Sequence, residues 1–267
     1  MMAPEARQIT VPKFAAMKAA GQKITMLTAY DHTMAKLVDS AGIEGILVGD
    51  SLGMVVQGRK NTLPVTLDEM IYHAEMVGRA VRHALVVVDM PFLSYHLGKL
   101  QAIENAGRVL KETLCQAVKL EQGPDQAEVT AALVSAGIPV MAHFGLRPQS
   151  VHQLGGYSVQ RDRERLLDDA KAAEQAGAFS ILLECVPGDV AKEVTAAVSV
   201  PTIGIGAGVG CDGQILVLHD LVGLGTGRVP RHAKAYADLG TALTEAVTRY
   251  RNDVRDGTFP GAEQTFD

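Results

Sequence analysis

Ile46-Leu47-Val48-Gly49-Asp50-Ser51-Leu52-Gly53-Met54 is a short apolar run that stops on a carboxylate and is followed at once by a hydroxyl. The same pattern returns at Leu85-Val-Val-Val-Asp89, at Ala117-Val-Lys119-Leu-Glu121 and at Ile181-Leu-Leu-Glu184. Short apolar runs closed by polar residues read as strands. These lack polar alternation, as strands do in a parallel sheet covered on both faces. Four such strands lying parallel in one sheet would gather their terminal acids at one edge. A divalent cation and a general base require that arrangement.

Outward from this stretch, the pattern predicts a short helix over 12–20, a strand over 24–30, a helix over 32–41 and a strand over 46–49. A loop over 51–64 follows, then a capping box at Thr66-Leu-Asp-Glu69 that opens a helix running to 81. Strands are predicted over 85–88, 115–121, 138–143, 179–184, 200–205 and 215–218. Helices are predicted over 100–113, 126–135, 163–175, 189–198 and 233–251, with a polar loop over 146–161. Ala41-Gly42-Ile43, Ala136-Gly137-Ile138 and Ala176-Gly177-Ala178 repeat one punctuation: helix end, left-handed glycine, next strand. Eight strands mostly separated by helices in about 250 residues predict a (β/α)8 TIM barrel. It would be one domain over 1–267, with a short N-terminal helix and a C-terminal helical tail. A doubly wound open sheet is the alternative, but no Gly-x-Gly-x-x-Gly follows the first strand.

The composition narrows the function. A net charge of -5 offers no general basic surface for nucleic acid, and aromatics at 4% with no Trp offer no stacking platform. No apolar run approaches the roughly 18 residues of a membrane span, and the first residues lack the apolar core of a signal peptide. A cytoplasmic protein is expected. The three cysteines, Cys115, Cys185 and Cys211, are too few and scattered for a disulfide framework and read as packed thiols.

Catalytic groups of a barrel come from the C-terminal ends of its strands. Here those ends offer Asp50, Ser51, Asp89, Lys119, Glu121, His143 and Glu184. Oxygen ligands without a thiolate or imidazole cluster suit Mg²⁺. Asp50 and Asp89 directly terminate their runs and are the best direct ligands; Glu121 could act directly or through a water. Each acid alone also reads as a helix N-cap or a solvated loop residue. Lys119 and Glu121 share a strand face and could simply pair with each other. Their joint occurrence favours function, because like charges at one barrel mouth repel unless a cation or substrate needs them. The stretch 204–213 reads either as a phosphate cradle or as a tight turn.

Taken together, Val48-Gly-Asp50-Ser51-Leu-Gly53-Met54, Thr62-Leu-Pro64-Val-Thr66, Tyr72-His73, Asp89-Met-Pro-Phe92, Val118-Lys119-Leu-Glu121, His143-Phe-Gly145, Gly155-Gly156-Tyr157, Leu183-Glu184-Cys-Val-Pro187 and Ile203-Gly-Ile-Gly-Ala-Gly208 resemble the ketopantoate hydroxymethyltransferase family over nearly the whole chain. Two positions depart from it: Gln122, where the family usually has Gly, and Arg161, where it usually has Gly after Val-Gln. The Lys-Lys-Cys-Gly-His block of isocitrate lyases is absent.

The resemblance implies a barrel of the phosphoenolpyruvate-binding superfamily, Mg²⁺ dependence and a homo-oligomer, commonly a decamer. It implies transfer of a one-carbon unit from 5,10-methylenetetrahydrofolate to 2-oxoisovalerate. Carried onto matching positions, Asp50, Asp89 and Glu121 are metal residues. Asp50, Ser51, Asp89 and Lys119 bind substrate, and Glu184 is the proton acceptor. His143, at its strand end, is read beside them as an accessory group that could assist proton movement or hydrogen-bond the substrate.

Overall fold

The apolar runs that end on acids are parallel neighbours in one closed sheet. The computed structural model of the chain describes residues 8–123, 126–225 and 229–266. Its strands are β1 (Ile24–Thr28), β2 (Gly45–Val48), β3 (Leu85–Asp89), β4 (Ala117–Glu121), β5 (Val140–Gly145), β6 (Ser180–Glu184), β7 (Thr202–Ile205) and β8 (Gly213–Leu216). They pair in sequence order, and β8 returns to β1, so the predicted barrel is observed.

Helices alternate with the strands: α1 (Val11–Ala19), α2 (His32–Ser40), α3 (Leu52–Val55), α4 (Leu67–Ala80), α5 (Lys99–Glu112), α6 (Ala127–Ser135), α7 (Arg163–Gln175) and α8 (Gly188–Ala197). The Thr66–Glu69 capping box opens α4 as predicted. Gly42, Gly137 and Gly177 follow helix ends at φ of 81°, 84° and 91°, conformations that only glycine adopts without strain. Asp31, an acid after a strand, is an N-cap: it accepts from the Met34 amide at 2.9 Å. The bland reading holds there and fails at the other acid-tipped strands.

Two compact units divide the chain, Met1–Val217 and Leu218–Asp267. The first contains the barrel. The second contains α9 (Leu218–Val222) and α10 (Leu239–Arg255). The last helix begins later than the sequence predicts because Asp238 caps it, accepting from the Thr241 amide at 3.1 Å. The short α3 falls within the predicted loop over 51–64. It forms because the amides of Leu52, Gly53 and Met54 turn back onto the carbonyls of Gly49, Asp50 and Ser51.

The barrel interior is apolar at one end and polar at the other. Met26, Leu47, Leu85, Val87, Ala117, Met141, Leu182, Ile203 and Ile215 join one buried cluster with Ile9, Phe14 and Met17. Helix α1 thus closes the N-terminal end, where Phe14 packs edge-on against Phe179 at 5.8 Å between centroids. Truncating a buried Phe of this kind to Ala costs about 3–5 kcal/mol. Outside the strands, Phe144, Ile181 and Leu183 pack with Leu166, Ala170, Val190 and Val194 of α7 and α8.

Candidate active site

Strand parity carries five of the candidate groups into the mouth. Val87, Ala117, Met141 and Leu182 face the interior, so Asp89, Lys119, Glu121, His143 and Glu184, at even spacings beyond them, face it too. Register then sets them side by side: Asp89 lies opposite Lys119, Glu121 opposite His143, and Gly145 opposite Glu184. Asp50 arrives differently. Leu47 faces inward, so a straight strand would aim Asp50 outward. The turn into α3 swings it back, and its amide donates to Asp89 Oδ2 at 3.0 Å. Gly49 permits this approach, since a Cβ there would sit 2.8 Å from Ser51 Oγ and 3.4 Å from Asp89 Oδ2.

A line of contacts crosses four adjacent strands. Lys119 Nζ lies 2.7 Å from Asp89 Oδ1 and 3.0 Å from His143 Nδ1. On the far side, His143 Nε2 lies 3.3 Å from Glu184 Oε2, but without hydrogen-bond geometry. Glu184 is the most exposed of the set, its side chain 17% accessible against 2% for His143. Lys119 therefore pairs with Asp89; the pairing with Glu121 weighed from sequence is not the one formed. Ser51 Oγ is 2.8 Å from the buried Tyr30 hydroxyl.

The charge balance is uneven. Asp50, Asp89 and Glu121 are all buried, with Lys119 as the cation among them. Burial, then the charge of Asp89, pushes the Asp50 carboxyl up to about 7. Burial, then Asp50, pushes Glu121 well above the usual carboxylate range. Burial opposes the Lys119 charge, but Asp89, Glu121 and Asp50 outweigh it and hold the ammonium above its ordinary value. Burial, then Lys119, holds His143 well below the ordinary imidazole value, so the ring is neutral.

The sequence reading missed the group that ties the acids together. Gln149, in the β5–α7 loop, donates its amide N–H to Glu121 Oε2 at 2.9 Å. Its side-chain Nε2 donates to Asp50 Oδ2 at 2.9 Å and to the Met90 carbonyl at 3.0 Å. Its Oε1 accepts from the Tyr95 hydroxyl at 2.8 Å. Nothing in Arg147-Pro-Gln149-Ser marks that role, because the partners are distant in sequence. The stretch 204–213 is a tight turn: the Gln214 side chain donates to the Gly208 carbonyl, and Cys211 Sγ fills the space beside Gly204.

Among the described residues, no three His, Cys, Asp or Glu side chains already stand in a metal-holding group. The donor chemistry nonetheless fits a hard divalent cation. The oxygens are carboxylates, and burial, then their mutual repulsion, drives Asp50 and Glu121 upward. Mg²⁺ commonly takes only one or two protein carboxylates and completes its shell with water and substrate, so a complete protein cage is not required.

A family model described as ketopantoate hydroxymethyltransferase matches residues 8–262. The chain belongs to the ketopantoate hydroxymethyltransferase family. Proteins named 3-methyl-2-oxobutanoate hydroxymethyltransferase from Rhodopirellula baltica and Desulforapulum autotrophicum are each 55% identical to it. Each alignment covers 97% of this chain, and 97% and 98% of those proteins respectively. Among solved structures, 2,3-dimethylmalate lyase, described as a PEP mutase/isocitrate lyase superfamily member, aligns with a TM-score of 0.63. That match covers 97% of this chain and 92% of the other at 19% identity. Phosphonopyruvate hydrolase, in complex with oxalate and Mg²⁺, aligns at 0.61 over 96% and 93% at 15% identity. At such identities the likeness is one of fold.

Of the two departures from the ketopantoate hydroxymethyltransferase pattern, Gln122 faces away from the acids. Gln122 is buried and donates to Thr130 Oγ1, fastening the end of β4 to α6. Arg161 is exposed. Cys185, directly after Glu184, holds a left-handed φ of 48°, a strained conformation of the kind that collects at functional sites. Among the described residues, Cys115, Cys185 and Cys211 form no disulfide. No helix among the described residues is long and apolar enough to cross a membrane.

Proposed function

We propose that the mouth transfers a hydroxymethyl group from 5,10-methylenetetrahydrofolate to 2-oxoisovalerate (3-methyl-2-oxobutanoate), giving ketopantoate for pantothenate synthesis. One observation carries the reading: an under-compensated carboxylate cluster beside a separate carboxylate, Glu184, with Lys119 and His143 between them. The names of close relatives support the same activity.

The demanding step is loss of a proton from C3 of the oxo acid, a weak carbon acid. Asp50 and Asp89 would hold Mg²⁺, with Glu121 as the third acid, directly or through a water. When bound, the ion draws electron density from the keto oxygen and makes C3 more acidic, an effect of several kcal/mol. Lys119 supplies positive charge for the substrate carboxylate. Ser51, oriented by Tyr30, donates its hydroxyl to the same substrate. Glu184 takes the C3 proton and needs to come within about 3 Å of it, directly or through one water. The C3 carbanion forms the new bond to the one-carbon unit. The water consumed overall supplies the hydroxyl oxygen, and tetrahydrofolate leaves. His143, neutral and buried, holds its Nε2 proton toward Glu184. A cytoplasmic homo-oligomer, a decamer by resemblance, belongs to the same reading.

The test is turnover with purified protein, 2-oxoisovalerate, methylenetetrahydrofolate and Mg²⁺, omitting each in turn. Ketopantoate is expected only with all three present. Consumption of the oxo acid without the folate would replace this reading with a lyase activity.

A further inference from the structure

The β5–α7 loop stands across the mouth on two fixed feet. At its start the Leu146 amide donates to the Glu184 carbonyl at 2.8 Å, and at its end the Gln160 amide donates to the Cys185 carbonyl at 3.0 Å. Gln149 roots the first half on Glu121 and Asp50. Between these anchors the tip carries Gly155 and Gly156, at φ of 68° and 123°, and then Tyr157. Around both glycines there is open space.

The Tyr157 hydroxyl reaches Met54 Sδ at 3.8 Å. Met54 belongs to α3, just beyond Asp50 and Ser51, so the contact joins the β5 side of the mouth to the β2 side. Both side chains are exposed, Tyr157 at 52% and Met54 at 39%. Burial, then the charges of Asp50, Glu184 and Glu121, raises the Tyr157 phenol. An aromatic face and a thioether thus lie open above the site.

We infer that Tyr157 and Met54 form the subsite for the folate donor, taking its flat pterin and aminobenzoyl rings. This rests on the proposed function and extends it. The oxo acid is small and polar at one end; Ser51, Lys119 and the buried acids already match it, and it has no ring to stack. The donor carries its reacting carbon between two conjugated ring systems. That carbon has to be presented to C3 from the solvent side, past this rim. A polarizable thioether and an aromatic face are the groups that bind such rings.

The test separates the two substrates. Glu184 exchanges the C3 proton of 2-oxoisovalerate with deuterated water without needing the donor. Y157A and M54A are expected to raise KM for methylenetetrahydrofolate roughly tenfold, the scale of losing one stacking contact. Their C3 exchange rates should stay at the wild-type level, and Y157F should restore most of the donor affinity. An unchanged donor KM, or exchange falling in parallel with transfer, would overturn the subsite. Wild-type protein that neither exchanges C3 nor transfers the one-carbon unit would overturn the proposed function itself, a result distinct from either.

Discussion

The Lys119 ammonium donates a hydrogen bond to Nδ1 of His143 across 3.0 Å. An ammonium has no acceptor, so Nδ1 must accept, and the neutral ring carries its proton on Nε2. That proton faces Glu184 Oε2 at 3.3 Å. Lys119 therefore fixes the tautomer, and the tautomer decides what Glu184 meets. His143→Phe is expected to slow C3 exchange by about 10- to 100-fold, the scale of losing a group that orients a catalytic partner, while Mg²⁺ affinity holds. In nitrogen-15 NMR of the wild type, Nδ1 should remain unprotonated from about pH 6.5 to 8, above the lowered His143 titration. A protonated Nδ1 in that range would refute the assignment.

Glu184 is set apart from the other acids by exposure and by position, at the end of β6 and one strand beyond His143. Glu184→Gln keeps its size and removes the base. Exchange of the C3 proton should fall by about 10²–10⁴, the usual contribution of a positioned base. Calorimetric binding of 2-oxoisovalerate with Mg²⁺ should change little. Exchange at the wild-type rate would remove Glu184 from the role.

Much of this site is readable from sequence because parity and register are local rules. An acid two or four residues beyond an interior Val, Ala or Leu has to face the interior, so Asp89, Glu121 and Glu184 could be placed from their runs alone. Asp50 ends its run just as clearly, yet its direction comes from α3, a turn that reads as loop in a stretch rich in glycine and polar residues. Gln149 and Tyr95 were invisible for a different reason. Their meaning lies in partners roughly 30 to 100 positions away, such as Asp50, separated from Gln149 by 99 residues, and no spacing rule reaches that far. The choice of Asp89 over Glu121 as the partner of Lys119 was also open, since both lie within reach of one side chain.

Gln149 holds two acids and a tyrosine through one buried amide group and its backbone. Gln149→Leu keeps the volume but removes the donor to Asp50 Oδ2 and to the Met90 carbonyl. Unfolding in urea should show a loss of about 1–3 kcal/mol. Mg²⁺ affinity should fall about 10- to 100-fold, because the carboxylate orientation is lost. A stability loss with unchanged Mg²⁺ affinity would reduce Gln149 to a packing element.

The raised carboxyls give the metal-free protein a distinctive pH dependence. Folding lifts Asp50 from 3.8 to about 7, and Glu121 moves the same way. The native state thus holds protons that the unfolded chain has already released. Stability falls wherever the native state binds more protons, so metal-free protein should lose stability as pH rises from about 4 to about 7, and further as Glu121 ionises. Mg²⁺ has to displace those protons to bind. Its affinity should therefore rise with pH through about 7, by up to about tenfold per pH unit for each proton released. Calorimetry in buffers of different ionisation enthalpy would count the protons, and urea unfolding at about pH 6 and 8 would show Mg²⁺ restoring the stability lost at the higher pH. A Kd for Mg²⁺ that is flat across this interval would mean that the ion binds without Asp50 and Glu121.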